Sequence, residues 1–346
     1  MRISGRPAGH PVHTPTLGFY PPYRLRVAMR IRQVIPKDAI PSVDDPAFRD
    51  ANAYDGEPDD DVIVVDGDPS RAYPLRYLDF HEVVNAERDG HPIAVTWCPL
   101  CGTAVAYDRE VDGRTLTFGV SGKLVKDNLV LYDRETDSLW RQSTGKAIDG
   151  PMDGAELSTL PAWVTTVDRF REARPSGQVL VQPGGESEAA GPGADPEPID
   201  YDEDPYREYV ESDGFGLRAL HGGSSREWNR ADLDPKTIVV GVEVAEAALG
   251  FPRPAVEAAG GVVTASVGDL AVVVFATADG LHAFEDPGHE FRPAETQGRF
   301  LGDGTTWDGS TGEAADGRTL VRVPAIRTFA FAWQDDHGRD GFFQRE

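Results

Sequence analysis

The chain has 346 residues, with 34 Lys and Arg against 58 Asp and Glu and a formal net charge of −24 at pH 7, enough chain for a well-buried core and for two domains. So acidic a protein lacks the basic footprint that a nucleic-acid partner requires, and no apolar run approaches the roughly 20 residues of a membrane-spanning helix. Lysine is confined to Lys37, Lys123, Lys126, Lys146 and Lys236, the composition of a soluble protein adapted to concentrated salt, whose dense carboxylates hold water while screening blunts their repulsion.

In chain order, residues 1–34 come first as a basic tail without Asp or Glu. The tail lacks the apolar stretch of a signal peptide. It reads as a disordered extension, or as a reading frame that begins upstream of a true start at Met29. A cytoplasmic location is therefore expected, where cysteines serve as ligands or reactive thiols more often than as disulfides.

Residues 35–181 are expected to form a first β-rich repeat. Its runs are short, β-branched and aromatic, and broken by Gly, Asp and Asn: Val62–Val65, Ile93–Trp97, Ala104–Tyr107, Leu116–Val120, Leu129–Tyr132 and Ser138–Trp140. Asp112 and Gly113 mark a hairpin turn that tolerates positive φ. Leu75–Ala86 differs, since Tyr77, Leu78, His81 and Val84 recur at helical spacing after Pro74, so a short helix is expected. Residues 182–200 read as an acidic Gly/Pro linker or surface loop. The aromatic and acidic segment Tyr201–Tyr209 follows, positioned to cap a domain, its carboxylates read as a solvated charge run.

Residues 201–346 are expected to form a second, degenerate repeat of the first. TGKAIDG at Thr144–Gly150 recurs as TGEAADG at Thr311–Gly317, each after a tryptophan, Trp140 and Trp307. Leu157, Pro161, Ala162 and Thr165 then match Leu320, Pro324, Ala325 and Thr328 at one offset, and Ala94–Asp108 matches Ala271–Glu285. The expected fold is mainly β with a few short helices, in two tandem, diverged, barrel- or sandwich-like repeats.

The chemistry concentrates at Val95–Tyr107, VTWCPLCGTAVAY, which contains the only cysteines, Cys98 and Cys101. Strand alternation puts Cys98 at a strand end on the face shared with Ala94 and Thr96, and Gly102 lets the chain fold back to bring Cys101 toward it. Two thiolates at this spacing chelate a soft metal or form a redox pair. A zinc site normally shows a second such pair or two histidines. His81, on the helix before the cysteine strand, is the best third member, and its bland alternative is a histidine packed at the core edge against Tyr77 and Val84. In the second repeat Cys98 aligns with Phe275 and Cys101 with Ala278, and nothing replaces His81, as expected of one functional unit that the second half does not need. FGVSGK (Phe118–Lys123) reads as a turn that turns Ser121 and Lys123 toward the site. Asn128, Asp133 and Arg141 are candidate pocket members or turn formers.

IPKDAIPSVDDP (Ile35–Pro46), RAYPLRYLDFHEVVN (Arg71–Asn85), VTWCPLCGTAVAYDR (Val95–Arg109), TFGVSGKLVKDNLVLYDRETDSLW (Thr117–Trp140) and LPA (Leu160–Ala162) together resemble the bacterial and archaeal family called domain of unknown function 3179, of which this chain would be a salt-adapted, archaeal-type member. The resemblance implies a widespread, often exported domain without an assigned reaction, in which the position of Cys98 is usually cysteine and that of Cys101 is not always so. It makes Cys98 with His81 the core pair. Three readings follow: a copper or zinc site held by His81, Cys98 and Cys101; a thiol enzyme with Cys98 as nucleophile and His81 as base; and a non-catalytic binding or structural module with inert cysteines. Substrate, partners and oligomeric state have no signal in the sequence.

Overall fold

The computed structural model describes residues 30–190 and 195–344; both possible starts, and all but the end of the basic tail, lie outside the described residues. Ile31–Glu346 is one compact unit. As expected, the fold is mainly β with short helices. In the first half, β1 (Asp61–Val65) and β2 (Arg71–Pro74) form a hairpin that runs into α1 (Leu75–His81), then β3 (Val83–Arg88), β4 (His91–Cys98) and β5 (Thr103–Asp108). A second meander follows, β6 (Phe118–Val125), β7 (Asn128–Asp133) and β8 (Leu139–Arg141), before β9 (Trp163–Thr166) and α2 (Val167–Ala173).

The second half runs β10 (Ile238–Val244), β11 (Ala247–Pro252), α3 (Arg253–Ala258), β12 (Val262–Val267), β13 (Leu270–Ala276), β14 (Leu281–Glu285), β15 (Arg299–Gly302), β16 (Thr305–Asp308), β17 (Ile326–Phe329) and α4 (Ala330–His337). β9 runs antiparallel to β1 with Val164 opposite Ile63, and β17 runs antiparallel to β10 with Arg327 opposite Val240. Gly145 and Gly312, from the two TG motifs, both have positive φ and both lie against a ring, Tyr107 and Phe284. Trp140 and Trp307 are both buried.

Beside sheets of their own the halves share one: β11, β10, β17, β5, β4 and β3 are hydrogen-bonded in that order, joined where Arg327 of β17 meets Ala104 of β5. The apolar faces of these strands close over buried clusters centred on Tyr73, Leu78 and Phe80 and on Phe118, Leu131 and Trp140. The acidic segment between the halves pairs with itself. Glu186–Ser187 pairs with Glu197–Pro198, and Ala189 and Ala190 pack on the core; residues 191–194 lie outside the described residues. Among the described residues no helix is long and apolar enough to cross a membrane.

Two local expectations change. The helix stops at His81 rather than Ala86, because Glu82 turns left-handed at φ 57° and the β-branched Val83 and Val84 pair with β4 opposite Thr96 and Val95. FGVSGK is not a turn but the start of β6, which continues to Val125 through a bulge between Val120 and Lys123; a side chain at Gly122 would run into the Ile35 carbonyl. The Asp112–Gly113 turn is as expected, with φ of 50° and 73°.

Candidate functional site

Both cysteines are buried free thiols. The strand pair β4·β5 puts Cys98 opposite Thr103, and Gly102, at φ 60°, lets the intervening residues reverse. This brings the two thiols close together. Thr103 Oγ1 donates to Cys101 Sγ at 3.2 Å. The backbone N–H groups of Cys101 and Leu129 point at the Cys98 sulfur and favour its thiolate, but burial and the neighbouring Cys101 thiol override them and push the Cys98 pKa well above the ordinary thiol range.

The second half pins this loop from behind. The Phe329 N–H donates to the Cys101 carbonyl at 2.9 Å, Arg327 Nη1 donates to the Gly102 carbonyl at 2.9 Å, and the Thr103 and Thr328 hydroxyls meet at 2.7 Å. The turn is thus held by backbone on one side, and Cys98 faces a small pocket on the other.

That pocket, of about 90 Å³, is lined by Cys98 together with Glu82, Lys123, Glu188, Tyr206 and His221, over an apolar floor that includes Ile40, Val120 and Leu129. Cys98 is only 2 % exposed, so the sulfur meets the pocket through a narrow opening. Glu82 is the member that sequence reading missed. Its backbone N–H donates to the Leu78 carbonyl at 2.7 Å and its carbonyl accepts from Trp97 at 2.8 Å, which fixes the left-handed turn, while among the described residues its Oε2 has no hydrogen-bond partner. Burial, then the Cys98 charge, push the Glu82 carboxyl well above the usual carboxylate range. Burial also raises Glu188 and Tyr206, as a low-dielectric pocket requires.

His81 is placed elsewhere. Its Nδ1 lies 2.9 Å from the Pro41 carbonyl and its Nε2 2.6 Å from the Tyr201 hydroxyl, so both ring nitrogens are engaged and neither faces the sulfur. Burial holds its pKa below the ordinary value, which keeps the ring neutral. The partner, Tyr201, belongs to the aromatic and acidic segment after the linker. That segment caps the site with three tyrosines: Tyr201 on His81, Tyr206 in the pocket wall, and Tyr209, whose hydroxyl donates to the Leu100 carbonyl at 2.7 Å.

The other candidates divide. Lys123 lines the Cys98 pocket, whereas Ser121 is 2 % exposed, its hydroxyl on the Val130 carbonyl. Asp133 accepts from Thr136 and from the Trp140 indole N–H at 2.8 Å, and Arg141 forms a buried ion pair with Asp336 of α4. Asn128 is fully buried beside the Lys126 carbonyl. These three serve the framework. Glu82 and Glu188 carried no sequence signal, since nothing marks a glutamate at a left-handed helix end or one arriving from an acidic loop.

Among the described residues no group of three or more His, Cys, Asp or Glu is arranged to hold a metal ion. The residues therefore do not fit tetrahedral zinc, which takes four ligands in structural sites and three plus water in catalytic ones.

Fold and site together define a β-rich protein with a thiol and a carboxyl lining one small pocket. The model of the family described as Protein of unknown function (DUF3179) matches residues 37–340, and the chain belongs to that family. No curated protein and no solved structure matches it.

Proposed function

We propose that the Cys98 pocket is a thiol-dependent reaction site for a small, largely apolar acyl compound, with Cys98 as nucleophile and Glu82 as its proton acceptor. The observation that carries this reading is that Glu82 and Cys98 line one pocket, with an oxygen of Glu82 left unpartnered in a strained turn. A carboxylate whose pKa is raised is a stronger base, better matched to a thiol proton. The thiol proton passes to Glu82 as the sulfur–carbon bond forms, the leaving group takes that proton, and water, deprotonated by Glu82, then breaks the thioester to return a free thiol and a carboxylic acid. The N–H groups of Cys101 and Leu129 offset the charge that develops on sulfur.

The test is intact-mass analysis with small p-nitrophenyl esters. An acyl adduct is expected on Cys98 and not in Cys98→Ser. In Glu82→Gln the adduct should accumulate, because its hydrolysis slows by about a hundredfold. No adduct on Cys98, or adduct turnover unchanged in Glu82→Gln, would refute the reading.

The nearness of the two sulfurs favours a second reading, in which Cys98 and Cys101 would hold a monovalent copper ion, the soft ion that thiolates select. Elemental analysis of protein purified without chelator separates the two: stoichiometric copper that Cys101→Ser abolishes supports the copper site, and metal-free protein removes it.

A further inference from the structure

A second cavity, of about 160 Å³, lies where the halves meet, with β1 and β9 on one side and β10, β14 and β17 on the other. Three arginines reach it, Arg253, Arg322 and Arg327, all from the second half. Equivalent places in the first half carry no charge. Arg327 opposes Val240 as Val164 opposes Ile63, and at the offset that aligns Leu157 with Leu320, Arg322 falls on Thr159. The charge was thus placed on one side of a repeated framework.

Arg253 is committed to Glu257 at 2.8 Å and to the Thr277 carbonyl. Arg322 and Arg327 differ: among the described residues neither has a carboxylate at ion-pair distance. Arg322 donates to the Ser310 carbonyl and stacks over Trp163 and Phe284 at 4.8 and 4.5 Å, and Arg327 donates to the Gly102 carbonyl and lies 5.2 Å from the Trp97 ring. Burial pushes Arg322 down to about 10 and lowers Arg327 also, so both stay charged at neutral pH. A half-buried guanidinium with no carboxylate at ion-pair distance is costly, and two of them lining one cavity suit an anion.

Two carboxylates share the wall. Asp279 is turned to the hydroxyls of Thr165, Thr277 and Ser310 at 2.5, 2.8 and 3.0 Å, and Asp61 lies exposed at the mouth. Their negative charge disfavours a multiply charged phosphate. The remaining wall is apolar, with Ile63, Val164, Ile238 and Leu281.

We propose that this cavity binds a small organic carboxylate, its carboxyl between Arg322 and Arg327 and its apolar part against those aliphatic side chains. The site is separate from the Cys98 pocket and does not depend on the thiol chemistry.

Thermal-shift and calorimetric titration with propionate, lactate and inorganic phosphate, at constant ionic strength, tests it. The carboxylates are expected to bind saturably at about millimolar concentration or tighter, with at least tenfold weaker binding, on the order of one lost charged contact, in Arg322→Gln and in Arg327→Gln. Because those variants remove half-buried groups, the wild type supplies a second measurement: propionate should slow phenylglyoxal modification of Arg322 and Arg327 and leave Arg207, 67 % exposed, unaffected. No saturable carboxylate binding, tighter binding of phosphate, binding retained in both variants, or no protection of the two arginines would overturn the assignment.

Discussion

Glu82 occupies a position that glycine commonly fills, the left-handed residue that ends a helix. With φ 57° and a buried, unpartnered carboxyl oxygen, it costs stability twice, once in backbone strain and once in desolvation. Glu82→Gly is therefore expected to stabilise the fold by about 1 kcal/mol while abolishing turnover at Cys98, read by urea denaturation alongside the acyl-adduct assay. A loss of stability would mean that Glu82 serves packing instead.

Asp79, one turn before, contributes a pH dependence. Burial pushes its carboxyl up to about 7 from an ordinary 3.8, even though its Oδ1 accepts the Trp97 indole N–H at 2.8 Å. Because the folded pKa is the higher one, the folded state holds the extra proton between those values, so the stability contribution is full below 3.8 and is lost as pH rises toward 7. Asp79→Asn keeps an oxygen for Trp97 and removes the titration. Its urea midpoint should exceed that of wild type increasingly from about pH 4 to pH 7; a constant difference across that range would place the titrating group elsewhere.

At the scale of elements, the cysteine turn depends on Gly102. A Cβ there would sit 2.8 Å from the Phe329 ring, at a backbone φ of 60°. Gly102→Ala is expected to destabilise by about 2 kcal/mol or more, seen as a lowered melting temperature together with altered Cys98 accessibility. A melting temperature equal to wild type would mean that Phe329 moves aside freely.

This turn also shows what the sequence could reveal. Cys98 at a strand end, the reversal at Gly102, the hairpin at Asp112–Gly113 and Lys123 beside the site were legible, because alternation and glycine placement are local properties. The helix end at His81 was not, since helical spacing continues to Val84 and only pairing with β4 decides that Val83 and Val84 extend. For the same reason His81 looked like a partner of Cys98. It is drawn away by Pro41 and by Tyr201, a residue 120 positions distant, whose arrival no local pattern announces.

At the scale of the whole molecule, one sheet runs through both halves and the cysteine turn hydrogen-bonds to β17. A fragment ending at Val181 would expose the edge of β5 and leave the Cys101 and Gly102 carbonyls without their partners. It is expected to fail to fold, read as loss of β signal in circular dichroism, whereas independent folding would make the halves separable domains. β9 pairs with β1 as β17 pairs with β10, while the thiols lie in the first half and the arginines of the second cavity in the second. The net charge of −24 predicts that the melting temperature rises as salt approaches about 1 M, where the screening length falls to about 3 Å; a fall would show that ion pairs outweigh self-repulsion.

The most direct measurement of the central relationship, a thiol and a carboxyl lining one pocket, is the pH profile of Cys98 alkylation by a small haloacetamide in wild type and in Glu82→Gln. The account predicts a wild-type thiol that titrates above about 8.5, the ordinary value, and slower alkylation below that pH once the carboxylate that accepts the thiol proton is removed. Superimposable profiles, or a wild-type thiol that titrates at the ordinary value, would contradict it.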